Sequence, residues 1–306
     1  MRRFLSGLSG APLSLVPGPA TPPRSASSGT SAGGDAPSAG SSALPQCDPH
    51  AISFLGVPCD QELLLPTTIG EHLIERCRMT PIPEEPIATS PFEPPVAYVA
   101  LSERYVDRRN LHAREADALG PQAGTRRRAE FTLGRAAAAT ALVQLGLDSP
   151  PPILRGPKGE PMWPDGVIGS ISHCCGWAVA VATTQPPCIA IGVDIEKISD
   201  VAGLDGRPVC TPRELRWSDE LPGETSLRLT LILSAKETIF KALFALHQQF
   251  IEFRSVELSW SNALRSFRVE LLDHALKPIS HLPLVVGCSR DGDIVRTHLF
   301  VGTPPT

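Results

Sequence analysis

The sequence predicts an α+β protein: a polar tail, then two α+β halves, each built from one long helix and a set of short strands. Three observations carry this. The run Ile189 to Glu196 alternates apolar and other residues as a strand does. Two stretches, Thr125 to Gly146 and Ser226 to Leu246, are long and continuous enough for helices. Short apolar runs bounded by Gly, Pro and Ser flank both. A chain of 306 residues with 42% apolar content can fill two cores. The expected boundaries are a tail at 1–46, a first half at 47–188 and a second half at 189–303.

Ser, Gly, Ala and Pro dominate residues 1–46, which lack the apolar side chains that would offset ordering entropy, so this tail is expected to be disordered. From 51 to 105, apolar runs at 52–57, 63–65 and 96–101 are broken by prolines and suit strands and loops. His50, His72 and His112 stand alone there and are read as structural or solvated. The first long helix opens on Thr125 as a candidate cap and closes at Gly146. Arg128, Thr132 and Arg135 fall at i, i+4 and i+7, so two guanidiniums share one face. Such a pair fits phosphate oxygens, although a solvated basic face is the commoner meaning of the pattern taken alone.

Next comes a loop containing Lys158, a strand near 167–172, a turn carrying Ser172, His173 and Cys174, and a strand at 177–183. A Cys174/His173 nucleophile is set aside, because sequence neighbours at a strand end point apart. The strand Ile189 to Glu196 sends Asp194 and Glu196 to one face. Two close carboxylates raise each other's pKa unless a cation or proton lies between them, and hard oxygen ligands of this kind suit Mg²⁺. Ser226 to Leu246 is apolar nearly all round except for one stripe, Thr230, Ser234, Glu237 and Lys241. An acid and a base on so narrow a stripe point to a site. Runs at 256–260, 267–272, 284–288 and 294–301 complete the second half as strands.

A net charge of −4 and a pI near 6.1 argue against non-specific nucleic-acid binding, which depends on a basic surface. The eight cysteines form no C-x-x-C or zinc spacing, and adjacent Cys174 and Cys175 are not expected to bridge. Free thiols in a reducing cytoplasm are the expectation. No apolar run reaches the ~20 residues of a membrane span.

Four motifs in order, RRAEFTLGR (127–135), EPMWPDGVIGSISH (160–173), IGVDIE (191–196) and SAKETIFKA (234–242), resemble the 4′-phosphopantetheinyl transferases. The likeness is to the larger, surfactin-activator type and, in the first half, to its enterobactin synthetase component D branch. It implies two similar α+β halves about a pseudo-twofold axis, with coenzyme A in the cleft between them. It implies transfer of the phosphopantetheine arm of coenzyme A to a serine of an apo acyl or peptidyl carrier protein, by a monomer. Asp194, Glu196 and Glu237 would hold Mg²⁺, and Lys241 would meet the phosphates. Ser172, His173, Arg128, Arg135 and Lys236 would be among the coenzyme A contacts. Glu237 is the candidate base, with a metal-bound water or Lys236 as alternatives. The surfactin-activator branch carries Gly-Lys-Pro where this chain has Gly159-Glu160-Pro161, so Lys158 is the candidate substitute. A carrier-binding module without transfer and a Mg²⁺-dependent nucleotide pyrophosphatase are the competing readings.

Overall fold

A computed structural model describes residues 82–93, 95–105, 111–120, 122–184, 186 and 188–302. The tail at 1–46, the runs at 52–57 and 63–65, and His50 and His72 lie outside the described residues. The elements in order are β1 (Ala97–Ser102), α1 (Ala113–Asp117), α2 (Thr125–Gln144), β2 (Leu154–Arg155), β3 (Pro161–Met162), β4 (Val167–Cys174) and β5 (Trp177–Thr184). Then follow β6 (Cys188–Lys197), α3 (Ile198–Val201), α4 (Pro212–Asp219), α5 (Thr225–His247), β7 (Val256–Ser261), β8 (Ser266–Leu271), β9 (Val285–Asp291) and β10 (Ile294–Gly302). Among the described residues no helix is long and apolar enough to cross a membrane.

In the first half an antiparallel sheet of order β1-β5-β4 carries α2 on one face. Small residues make this contact close: Ala137, Ala138 and Ala141 of the helix meet Ala178, Ala180 and Ala182 of β5. The helix begins one residue differently from expectation. Gly124 is the cap, with no side-chain bond, and Thr125 is already helical. Gly146 ends it with φ +92°, a left-handed stop that a Cβ would penalise. His112, read from sequence as structural, accepts from the Arg114 N–H and forms a capping box with Glu115 at the start of α1.

The second half is a five-stranded antiparallel sheet of order β6-β10-β9-β8-β7, covered by α5. Leu231, Ile232, Ile239 and Leu243 are fully buried against Val286, Val295, Leu299 and Phe267. Each such side chain contributes about 1.5–3 kcal/mol of burial. Gly192 sets how near α5 comes to β6, since a Cβ there would stand 2.3 Å from the Thr238 carbonyl oxygen. Each half is thus one long helix on one antiparallel sheet. On the other face of the sheet, fully buried Arg296 donates to the carbonyls of Ile87 and Thr89 and to Glu85, fastening the segment at 82–93 across it.

Side chains join the two sheets, not a strand ladder. The face of β4 that bears Ile168, Ser170, Ser172 and Cys174 meets β6, whose Ile191, Val193 and Ile195 share its apolar cluster. The Val193 N–H donates to Ser170 Oγ at 3.2 Å and the Ile195 N–H to Ser172 Oγ at 3.3 Å. Two hydroxyls two residues apart therefore satisfy two edge amides two residues apart, as the strand period requires. Ser170→Ala leaves the buried Val193 N–H without its acceptor and is expected to cost about 1–3 kcal/mol in urea unfolding. An unchanged midpoint would show that the seam does not depend on this hydroxyl.

Candidate active site

Asp194 lies at the meeting point of the two sheets and α5 and is almost fully buried. Its Oδ1 accepts from Ser172 Oγ on β4 at 2.8 Å and from Lys241 Nζ on α5 at 2.5 Å. Its Oδ2 accepts from Ser234 Oγ, also on α5, at 2.8 Å. Behind Ser234, the Thr297 hydroxyl on β10 lies 2.8 Å away and that of Thr238 2.7 Å beyond it. The polar stripe seen in the sequence is this network: Ser234 and Lys241 reach Asp194, and Glu237 lies between them in sequence. Thr230 is the exception, its hydroxyl donating back to the Ser226 carbonyl.

Glu196 and Glu237 are half-buried beside this pair. Burial and the charges of Asp194 and Glu237, against the pull of Lys241, push the Glu196 carboxyl up to about 8. Burial, opposed by Lys241 and helped by Asp194, raises Glu237 as well. Burial acts to lower Lys241, but Asp194, Glu237 and Glu196 outweigh it and hold the ammonium above its ordinary range. Three carboxyl groups around one ammonium cannot all ionise without an excess of negative charge, and a divalent cation would relieve that condition. The donor set is all hard oxygen and fits Mg²⁺ chemically. As the side chains stand, no three acids or histidines among the described residues converge on one metal position, because Lys241 occupies Asp194.

His173 sits at the rim. Burial first, opposed by Glu130 and helped by Lys241 and Arg127, lowers its pKa to about 4. The imidazole is therefore neutral, with Nε2 accepting from Arg127 Nη1 at 3.4 Å and Nδ1 facing Glu130 at 3.9 Å. Sequence reasoning missed Arg127 and Glu130. Both stand in the RRAEF motif, and the i, i+4, i+7 count from Arg128 selected the neighbouring face of α2.

The remaining predicted residues stand apart from Asp194. Arg128 donates to the carbonyls of Ala123 and Gly120 at 2.9 Å, bracing the entry to α2. Arg135 is buried with its guanidinium 4.4 Å from the centre of the Phe131 ring, and burial lowers its pKa to about 10. Lys158 reaches the Gln248 carbonyl just past the end of α5 and lies 5.7 Å over the Phe244 ring. Glu160 folds into its own turn, accepting from the Lys158 N–H. Lys236 is a correction to the sequence reading. Its ammonium is 1% exposed and donates to Glu214 at 2.7 Å and to the carbonyls of Val209, Phe253 and Val256, so no donor remains for a ligand.

A model of the 4′-phosphopantetheinyl transferase N-terminal domain matches residues 114–183, and a model of the 4′-phosphopantetheinyl transferase superfamily matches residues 190–284. The PptT 4′-phosphopantetheinyl transferase of Mycobacterium tuberculosis is 32% identical over 174 residues, 53% of this chain and 71% of that protein. The chain belongs to the 4′-phosphopantetheinyl transferases. Enterobactin synthase component D of Salmonella typhi is 43% identical over 124 residues, 39% of this chain and 50% of that protein. The chain thus spans about half the length of that relative. Among solved structures, the M. tuberculosis acyl carrier protein synthase aligns at 22% identity and a TM-score of 0.31, over 38% of this chain and 99% of that one.

The structural role of Lys236 is testable. Lys236→Met strands the buried Glu214 carboxylate and is expected to lower unfolding free energy by about 3–5 kcal/mol. Adding Glu214→Gln should recover part of the loss. A stable Lys236→Met protein with weakened coenzyme A binding would return Lys236 to the site.

Proposed function

We propose that this chain transfers the 4′-phosphopantetheine arm of coenzyme A to a serine hydroxyl of an apo acyl or peptidyl carrier protein, releasing adenosine 3′,5′-bisphosphate. The observation that carries the reading is the pairing of Asp194 from β6 with Lys241 from α5, with Glu196 and Glu237 half-buried beside them, on a buried network that reaches both sheets. Membership of the transferase family and the names of the relatives support the same activity. The enzyme acts as a monomer, the chain supplying both halves, and nucleic acid is not among its partners.

The carrier serine oxygen attacks the phosphorus that bears the pantetheine arm. A new P–O bond forms, and the bond to the bridging pyrophosphate oxygen breaks. Asp194, Glu196 and Glu237 would hold Mg²⁺, which supplies neutralisation of the pyrophosphate oxygens. Glu237 takes the serine proton, directly or through water. Lys241, already charged and held by Asp194, offers its remaining donors to the phosphates. Ser172 keeps Asp194 oriented. Neutral His173 and Arg127 form the rim that receives the nucleotide, with Arg128 and Arg135 steadying α2 behind them.

The three carboxylates should separate in a transfer assay with coenzyme A, Mg²⁺ and an apo carrier. Asp194→Asn should raise the Mg²⁺ needed for half-maximal rate, and excess metal should restore part of it. Glu237→Gln should still bind coenzyme A but lose on the order of 10²–10⁴ in kcat, with no rescue by metal. Full rescue of Glu237→Gln would make it a ligand only. Release of hydrolysis products without a mass gain on the carrier would favour a pyrophosphatase, and no reaction at all would favour a binding module.

Arg127→Ala should weaken coenzyme A binding by about 1.5–3 kcal/mol and dephospho-coenzyme A binding little, if the guanidinium meets the 3′-phosphate. Calorimetry showing equal losses for both ligands would leave Arg127 as a holder of His173 alone.

A further inference from the structure

Cys174 and Cys175 close the hairpin between β4 and β5, and the proposed transfer uses neither. The turn is tight, with Cys175 at φ +51° and Gly176 at φ +76°. A non-glycine residue in that region is uncommon, and here it holds the two sulfurs 3.2 Å apart. The two thiols live in different surroundings. Cys175 is exposed. Cys174 is buried, the next residue after Ser170 and Ser172 in the row that faces β6. Burial, the contact with Cys175, and Glu196 and Asp194 all push the Cys174 thiol up. One thiol is thus open to an oxidant, and the other is shielded and resolves it through proximity, its sulfur already 3.2 Å away, and not through a lowered pKa.

We propose that Cys174 and Cys175 are a reversible oxidation site at the mouth of the active site, closing to a vicinal disulfide under a peroxide and displacing His173. The Cys175 thiolate attacks one peroxide oxygen. The O–O bond breaks, Cys175 becomes a sulfenic acid, and the leaving hydroxide takes the thiol proton as water. The Cys174 sulfur then attacks the Cys175 sulfur. The S–S bond forms, the S–O bond breaks, and the Cys174 proton leaves with that hydroxide as a second water. The balance is two thiols and hydrogen peroxide to one disulfide and two waters.

Geometry makes the product both reachable and labile. The sulfurs must approach by about 1.2 Å, from 3.2 Å to a bond of about 2.05 Å. Adjacent Cα atoms are about 3.8 Å apart, shorter than the usual disulfide span of about 4.4–6.8 Å, so the bridge is strained. Strained, exposed bridges are the easily reduced ones. The sulfur displacement falls on the residue next to His173, whose ring touches Arg127, and a shift of about 1 Å in such a group costs on the order of 10²-fold in rate. Only that last consequence rests on the transferase reading.

The test treats reduced full-length protein with equimolar hydrogen peroxide, alkylates it under denaturing conditions and maps the peptides by mass. The peptide holding both residues should lose two hydrogens and resist alkylation until dithiothreitol is added. In parallel, coenzyme A transfer should fall on the order of 10²-fold and return with dithiothreitol. Cys175→Ser should keep its transfer rate before and after peroxide. Cys174→Ser should stop at a Cys175 sulfenic acid captured by a cyclic dione. Cys175 bridged to Cys47, Cys59, Cys77 or a second chain overturns the proposal, as does direct passage to a sulfinic acid. Equal peroxide sensitivity of Cys175→Ser also overturns it. The mass readout is independent of transfer, so failure of the transferase reading would leave the disulfide result standing.

Discussion

The carboxylate of Asp194 is the constraint on which the rest depends. A buried charge of this kind is costly to desolvate and persists only when its lone pairs are met by well-placed donors. Ser172 brings one from β4, and Ser234 and Lys241 bring two from α5. Thr297 then ties Ser234 to β10. Moving either sheet or the helix would strand the charge, so one side chain of a few atoms couples the placement of both halves. The same coupling holds Lys241 charged.

Helix α5 carries two inward lysines with opposite duties. Lys236 and Lys241 are five residues apart, about 140° around the helix. Lys236 looks to the Glu214 side, where its ammonium is fully satisfied and ties α4 to β7 through a carboxylate that also accepts the Leu258 N–H. Lys241 looks to the site and is 24% exposed, with donor capacity to spare. The difference lies in what each meets across the helix, since the residue type and its host helix are the same.

Much of this was legible in the chain. The alternation at 189–196 and the long apolar helix became β6 and α5 within a residue or two, because burial on opposite faces enforces those periods. Asp194 and Lys241 were legible because each is a charged residue on an otherwise apolar element, whereas Ser172 was marked only by the motif resemblance, as a coenzyme A contact, and its bond to Asp194 is a tertiary fact. Other features were not. Choosing Arg127 over Arg128 requires knowing which side of α2 meets the β4–β5 turn, a tertiary fact that helix period leaves open. The partners of Lys236 come from three separate segments at 209–214, 253 and 256. Thr297 and Ser170 read as ordinary strand residues until their hydroxyls are seen at a junction.

That junction has a further consequence. The hydroxyls of Ser170 and Ser172 act as a two-pin connector whose pitch equals the strand repeat. A slip of β4 along β6 by one residue would present both pins to amides that already belong to β10, and a slip of two would find edge amides again but turn Ser172 away from Asp194. The join therefore accepts a single alignment, although it contains no shared ladder.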